Sequence, residues 1–159
     1  MRVLAVALLS GVVLLGACGG GETPATDTAT TPAATPTPTG AMTMAPITGT
    51  THEVRMVLEG TTYKYDPANI TVKPGDGIKF IMVSGAPHNV SFDPATIPAD
   101  QKDQLWANMP NSTDGSSPML MDPNQEWTLS LGNIKPGKYP FFCTPHLAMN
   151  MKGEITVQE

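Results

Sequence analysis

The sequence FFCTPHLAMNMKG occupies residues 141–153 and places a cysteine, a histidine and two methionines in one short segment between apolar runs. Cys143, His146 and Met151 offer a thiolate, an imidazole and a thioether, which are the soft donors that copper prefers. A second imidazole from a distant part of the chain, such as His88, completes a plane of two histidines and one cysteine with a weak axial methionine. This donor set predicts a blue-copper electron-transfer site.

Two alternatives to this ligand set are open from the residues alone. Met149 lies six positions after Cys143 and could also reach the axial position. We favour Met151, because residues 152–153 begin the predicted final strand and should fix its backbone better than the loop interior. Zinc is the chemical alternative, but structural zinc sites use more thiolates and no thioether. No acid–base pair or open coordination position is evident, so we predict an electron carrier and not an enzyme.

Short β-like runs separated by turn residues make up most of the chain after residue 52. Several runs partly alternate apolar and polar side chains, as half-buried strands do, and Pro–Gly pairs mark turns. The predicted strands are residues 53–58, 69–73, 77–83, 88–92, 125–131, 138–143 and 153–158. This spacing predicts an all-β sandwich of two sheets. Loops at one end of a sandwich come from strands distant in sequence, so His88 can face Cys143.

Residues 94–124 interrupt the strand pattern. Residues 99–107 can form a short helix, and residues 108–118 are rich in loop-forming side chains. We therefore predict a short helix and loop insertion in the sandwich.

The N-terminal residues resemble an export signal. Residues 1–17 carry one basic side chain followed by an apolar run that is too short to span a bilayer. Residues 15–18, LGAC, resemble the bacterial lipobox, in which the cysteine is diacylated; an ordinary cleavage site is the alternative. We therefore predict lipidation of Cys18 and location in the bacterial cell envelope, anchored to the membrane by lipid. Cys18 and Cys143 then have different roles and form no disulfide.

Residues 18–51 are predicted to be a disordered tether that begins at the lipidated cysteine. The segment is rich in Thr, Pro and Ala and nearly free of charged and aromatic residues, so it cannot bury enough apolar surface to fold. Its reach is roughly 30–100 Å, depending on its stiffness. A single folded domain over residues 52–159 follows. The formal net charge of −5, without a basic stripe, argues against nucleic acid as a partner.

Two segments resemble the small cupredoxins, in particular plastocyanin-like and auracyanin-like proteins. They are GAPHNV at residues 85–90 and CTPH at residues 143–146, the latter continuing to Met-Lys-Gly at residues 151–153. The resemblance covers residues 53–159, and the loop length is similar to that of plastocyanin. Amicyanin-like proteins have a shorter loop, in which a methionine at the position of Met149 would be the ligand.

The resemblance implies a Greek-key sandwich of about eight strands and one type 1 copper ion. The implied ligands are His88, Cys143, His146 and Met151. It also implies that Asn89 joins the two ligand loops through a hydrogen bond near Thr144, and that His146 is the ligand at the solvent edge. The implied docking patch for redox partners comprises Pro87, Pro145, Leu147 and Ala148.

The sequence departs from plastocyanin in places that bear on its partners. Phe142 stands where plant plastocyanins carry a tyrosine, and acidic residues between residues 92 and 103 are scattered, so a second, acidic electron port is in doubt. Three methionines of the insertion, Met109, Met119 and Met121, could extend the docking face, but we expect ordinary packing for them.

These features predict a monomeric, lipid-anchored bacterial protein that shuttles single electrons between redox partners. The expected donor and acceptor are a cytochrome or a membrane complex. The alternative is a copper-trafficking or storage protein of the cell envelope, suggested by ten methionines and by the pair Met42 and Met44, whose thioethers could bind Cu(I).

Overall fold

The structure, a computed structural model, describes residues 42–159. The predicted signal peptide, the lipidation site Cys18 and residues 19–41 of the predicted tether lie outside the described residues. Within residues 42–159, no helix is long and apolar enough to span a bilayer.

The described residues form a sandwich of two β-sheets. The elements are β1 (Thr51–Glu59), β2 (Thr62–Asp66), β3 (Asn69–Val72), β4 (Gly77–Met82), α1 (Lys102–Ala107), β5 (Glu126–Ser130), β6 (Gly137–Phe142) and β7 (Lys152–Val157), with a 3₁₀ helix at Leu147–Met149. One sheet has the order β2-β1-β4-β5 and the other the order β3-β7-β6. The prediction of an all-β sandwich with a short helical insertion is confirmed.

The chain crosses repeatedly between the sheets. β1 runs antiparallel to β2 and parallel to β4, and β7 runs parallel to β3 and antiparallel to β6. This topology determines where the predicted ligands lie. His88 lies in the loop after β4, and Cys143 lies directly after β6.

The predicted strand over residues 88–92 is wrong. This segment makes isolated bridges instead, from His88 to Leu120 and from Ser91 to both Ser116 and Phe142. Because it pairs with the irregular insertion on one side and the end of β6 on the other, no regular ladder extends along it. The described residues therefore contain seven strands where about eight were expected.

Strand β2 was not predicted. It follows a turn at Gly60, which has a positive φ of 61°, and pairs with β1 from Glu59↔Thr62 to Arg55↔Asp66. Its sequence TYKYD alternates tyrosines with polar residues. Only one of its five residues is fully buried, so it lacks the apolar run of a typical strand.

The core lies between the sheets and is rich in aromatic rings. Along β4 the side chains of Ile78, Phe80 and Met82 are buried, and those between them are half-buried. Phe80 meets Phe141 of β6 edge to face, with ring centroids 5.5 Å apart. Fully burying side chains of this size contributes about 1.5–3 kcal/mol each, so the two sheets are joined mainly by this apolar layer.

Residues 45–50, predicted to belong to the tether, are part of the folded domain. The buried Ala45 donates its N–H to Oδ1 of Asn108 (2.8 Å), and its carbonyl accepts a hydrogen bond from Oγ of Ser130 (2.7 Å). Nδ2 of Asn108 also donates to the carbonyl of Gly132 (2.7 Å). The partners lie far along the chain, which explains why composition alone did not reveal this contact.

Asp76 fixes the start of β1 against the turn before β4. Its carboxylate accepts hydrogen bonds from the N–H groups of Thr50 (2.8 Å) and Lys73 (3.0 Å) and pairs with Nε2 of His52 (2.8 Å). These contacts lower the pKa of Asp76, the Lys73 N–H contributing most and His52 next among the groups that lower it. His52, expected to be a solvated strand end, is therefore a partner of this carboxylate.

Replacing Asp76 with Asn should lower the free energy of unfolding at neutral pH by about 2 kcal/mol, since hydrogen bonds to a charged acceptor contribute ~1.5–3 kcal/mol. The pKa of Asp76 is lower in the folded state than the unfolded value of about 3.9. Its stabilisation is therefore present above that value and is lost as the pH falls through the folded-state pKa.

Urea unfolding at neutral and acidic pH measures this effect. The difference between the Asp76→Asn variant and the parent should close on acidification. Asp66→Asn, at an exposed aspartate, is the control and should be near neutral at both pH values. A deficit of Asp76→Asn that stays constant with pH would contradict the assigned role.

Candidate metal centre

Three of the four predicted ligands converge at one end of the sandwich. Sγ of Cys143 lies 3.7 Å from Nδ1 of His88 and 3.4 Å from Nδ1 of His146. The donor atoms of these three residues all lie within 4.8 Å of one another. The two histidines come from loops 58 residues apart in the chain, so the fold has brought together a site that the sequence divides.

The two candidate axial methionines have different environments. Met151 is 0% exposed, and its backbone is bonded on both sides: its carbonyl accepts from the N–H of Cys143 (3.0 Å), and its N–H donates to the carbonyl of His146 (3.2 Å). Met149 is 50% exposed on the 3₁₀ helix. Asn150, with a positive φ of 61°, ends this helix before Met151. Burial therefore favours Met151 as the methionine associated with the two histidines and Cys143.

The geometry and chemistry of these residues fit a copper ion. Nitrogen and sulfur ligands bind a metal ion of this kind at about 2.0–2.3 Å, as they do zinc, so Sγ of Cys143, at 3.7 and 3.4 Å from the two Nδ1 atoms, can share one ion with them. The pocket is nearly closed: His88 and Cys143 are fully buried, and His146 is 5% exposed. One thiolate, two imidazoles and a neighbouring thioether form the donor set typical of blue copper.

The surroundings of both imidazoles favour the neutral form, which metal binding requires. Burial lowers the pKa of His88, and burial followed by the nearby His88 lowers the pKa of His146. Nε2 of His88 donates to the carbonyl of Ser84 (2.8 Å), which leaves Nδ1 free to face the sulfur. Ser84 is itself bonded through Oγ to the backbone of Leu58 in β1. The orientation of the His88 ring is therefore fixed from the sheet.

Burial raises the pKa of the Cys143 thiol, while the backbone N–H groups of Asn89 and His146 favour the thiolate. The metal-free pocket therefore retains a proton on Sγ. A metal ion that binds there must displace this proton, so binding is favoured as the pH rises.

The comparison with known proteins agrees with this geometry. Residues 52–158 match the family described as copper binding proteins, plastocyanin/azurin family. The chain belongs to this family. The expected cupredoxin fold and the expected single type 1 copper ion are thereby confirmed, and the protein is an electron-transfer carrier that exchanges electrons with redox partners.

Plastocyanins are among the similar proteins. Plastocyanin of Nostoc punctiforme is 32% identical over 108 residues, which cover 68% of this chain and 74% of that protein. Plastocyanin of the fern Dryopteris crassirhizoma is 34% identical over 97 residues, covering 60% of this chain and 89% of that protein. The oxidised structure of the fern protein superposes with a TM-score of 0.55 at 33% identity, covering 67% of this chain and all of that one.

The cupredoxin ligand loops are joined by Asn89, at the place expected. Its Oδ1 accepts a hydrogen bond from the N–H of Thr144 (2.8 Å), and its Nδ2 donates to Oγ1 of the same residue (3.2 Å). Nδ2 also donates to Oγ of Ser91 (3.0 Å). The amide thus connects the segment that carries His88 to the segment that carries Cys143.

Two tyrosines of β2 line the site, and neither was predicted. Tyr65 is buried and donates its hydroxyl to the carbonyl of Asn89 (2.6 Å); burial raises its pKa, so the phenol stays protonated. Tyr63 stacks on the imidazole of His146, with ring centroids 3.8 Å apart and an interplanar angle of 14°. The alternation in TYKYD indicates that the two tyrosines share one face of a strand. Nothing in the sequence shows that this face meets the metal site.

Stacking on Tyr63 orients the His146 ring, which within the described residues has no hydrogen bond at Nε2 to do so. Among residues 42–159, Nε2 of His146 makes no hydrogen bond, whereas Nε2 of His88 has the Ser84 carbonyl. Tyr63 lies beside Gly85, where a side chain would collide with Leu58 and approach the Tyr63 ring. The absence of a side chain at Gly85 therefore makes room for the ring that orients His146.

The four residues expected to form the docking patch differ in exposure. Leu147 and Ala148 are exposed, and Pro87 and Pro145 are half-buried. The packing expected for the three methionines of the insertion is confirmed for Met109, which is buried. It is wrong for the other two, because Met119 and Met121 are exposed.

Replacing Tyr63 with Leu should weaken copper binding roughly two- to tenfold, because an aromatic pair contributes about 0.5–1.5 kcal/mol. Without the stack, the His146 imidazole samples other orientations, and binding must order it. Tyr63→Phe keeps the ring and should bind as the parent does. Competition with a copper chelator measures the affinities. Equal affinity of the Leu variant and the parent would contradict the positioning role.

Proposed function

We propose that the protein is a membrane-tethered blue-copper carrier whose metal ligands are His88, Cys143, His146 and Met151. The observation that carries this proposal is the convergence of two buried imidazoles and a buried thiol in a closed pocket beside a buried methionine. The bound copper would supply a one-electron couple between Cu(II) and Cu(I).

The protein's contribution is to keep the ligands in place while the charge changes. Ser84 orients His88, Tyr63 orients His146, and Asn89 joins the two ligand segments. The closed pocket excludes water, so few dipoles must rearrange around the ion. A stiff and dry site with little rearrangement supports fast electron transfer.

Electrons would pass through the edge of His146. It is the only one of the four proposed ligands with measurable exposure among the described residues. Apolar side chains surround it, including the exposed Leu147 and Ala148, and an apolar surface that excludes water suits brief docking of a redox protein. We propose that this surface, with Pro87 and Pro145, receives both the donor and the acceptor.

The proposed setting is the bacterial cell envelope. It rests on the export-like residues 1–17, the lipobox-like residues 15–18 and the Thr/Pro/Ala-rich residues that follow. We propose that lipid on Cys18 anchors a monomeric carrier to the membrane, where a cytochrome or a membrane complex exchanges electrons with it.

The copper-trafficking or storage alternative remains a second candidate, favoured by the exposed methionines of the domain. It requires rapid release of copper to a chelator and no useful redox cycling. The closed pocket favours the carrier, because ligands that are almost fully buried retain an ion better than exposed ones do.

Addition of Cu(II) to the purified protein should produce an intense blue or green thiolate-to-copper band in the visible spectrum. Cys143→Ser should abolish the band, because the sulfur ligand is lost. A parent protein that gives no such band would refute the carrier proposal.

Met151→Leu should change the spectrum and the reduction potential, whereas Met149→Leu should spare both. The reason is that Met151 is buried at the site and Met149 is exposed. The reverse result would show that the axial assignment is wrong.

Leu147→Glu should slow electron self-exchange between the Cu(I) and Cu(II) forms several-fold, because it places a like charge at the centre of the docking surface in both molecules. NMR line broadening in mixtures of the two forms measures this rate. Met44→Glu adds the same charge at an exposed apolar residue of the N-terminal segment and is the control. Equal slowing in both variants would place the exchange surface elsewhere.

A further inference from the structure

Most of the large apolar side chains left exposed on the domain are methionines. Among the described residues, five of the seven exposed large hydrophobic side chains are Met42, Met44, Met119, Met121 and Met149. An apolar docking surface needs only hydrocarbon, which Leu147 and Ala148 already provide. A thioether adds a soft donor that binds Cu(I) in preference to harder ions.

Three of these methionines lie on segments bonded directly to the two histidines. Met119 and Met121 flank Leu120, which exchanges two backbone hydrogen bonds with His88 (3.1 and 2.8 Å). The N–H of Met149 donates to the carbonyl of His146 (3.0 Å). Their exposures are 45%, 55% and 50%, so each side chain reaches solvent while its backbone is held next to a proposed ligand.

The closed pocket raises the question of how a metal ion reaches it. His88, Cys143 and Met151 are fully buried, and only the edge of His146 meets solvent. An ion must therefore pass the surface around His146, where the turn that holds this residue also carries Met149. Donors on that surface would hold the ion at the point where it must enter.

We propose that Met119, Met121 and Met149 form a capture site for Cu(I), from which the ion is passed to the buried pocket. This inference rests on the proposed copper function. Bonds from Cu(I) to its delivering molecule break as thioether bonds form, and these are then replaced by bonds to Nδ1 of His88 and His146 and to Sγ of Cys143. The Sγ proton leaves to solvent, and the oxidation state of copper does not change.

The test compares copper loading of the purified, metal-free full chain with that of the triple variant M119L/M121L/M149L. Leucine has a similar volume and is apolar, so the substitution removes the sulfur atoms while keeping the surface hydrophobic. Cu(I) is supplied without oxygen as its bicinchoninate complex, and loss of the complex's absorbance gives the loading rate. The triple variant should load several-fold more slowly, with unchanged equilibrium affinity and an unchanged thiolate-to-copper band after oxidation.

The matched control is M42L/M44L. Met42 and Met44 have the same spacing as Met119 and Met121 and similar exposure, 56% and 57%. They adjoin Ala45, whose carbonyl bonds Ser130 at the end of β5 far from the ligands. This control should load at the parent rate. Loading from aqueous Cu(II) should be the same in all three proteins, because thioethers favour the softer Cu(I).

The outcomes separate the two proposals. Parent-like Cu(I) loading by the triple variant, or equal slowing in the control, would overturn the capture site. Slower self-exchange with unchanged loading would also overturn it and would assign these methionines to partner docking alone. Failure of the carrier proposal has a different signature, since the parent itself would then show no thiolate-to-copper band.

Discussion

Two segments that lie 55 residues apart are held together by the side-chain amide of Asn89. Its bonds to Thr144 join the loop of His88 to the loop of Cys143, and the hydroxyl of Tyr65 donates to the backbone carbonyl of Asn89. The backbone bridge between Ser91 and Phe142 supports the same connection. While the two loops remain in register, the imidazoles and the sulfur stay buried and the pocket excludes water.

Strand β2 shows that the site is built from the sheet as well as from the loops. Tyr63 and Tyr65 lie two residues apart on one face, and the pairing of Leu58 with Tyr63 in the β1–β2 hairpin places this face under the ligand loops. The same Leu58 bonds Ser84, which orients His88. The β1–β2 hairpin thus positions both histidines. It holds Ser84, which bonds His88, and its Tyr63 ring stacks on His146. Neither imidazole relies on the metal to hold its orientation.

The parts that were predictable are those in which chemistry is local in sequence. Cys143, His146 and Met151 lie within nine residues, and the donor count then required one more imidazole, which led to His88. The position of Tyr63 against His146 was not predictable, because strand register determines it and a tyrosine carries no distinctive donor. The folding of residues 45–50 was also missed, since the partners of Ala45, Asn108 and Ser130, are distant in sequence and the segment has the composition of a linker.

Strand β1 runs from one pole of the domain to the other. Its nine residues span about 30 Å, from the Asp76 carboxylate at its beginning to the hairpin that supports the histidines at its end. Residues 45–50, which lead into β1, are therefore held at the pole opposite the proposed copper ligands. A load applied at residue 45 would be borne first by the hydrogen bonds of Ala45 to Asn108 and Ser130, and then by the β1–β4 ladder, before it reached the ligand loops.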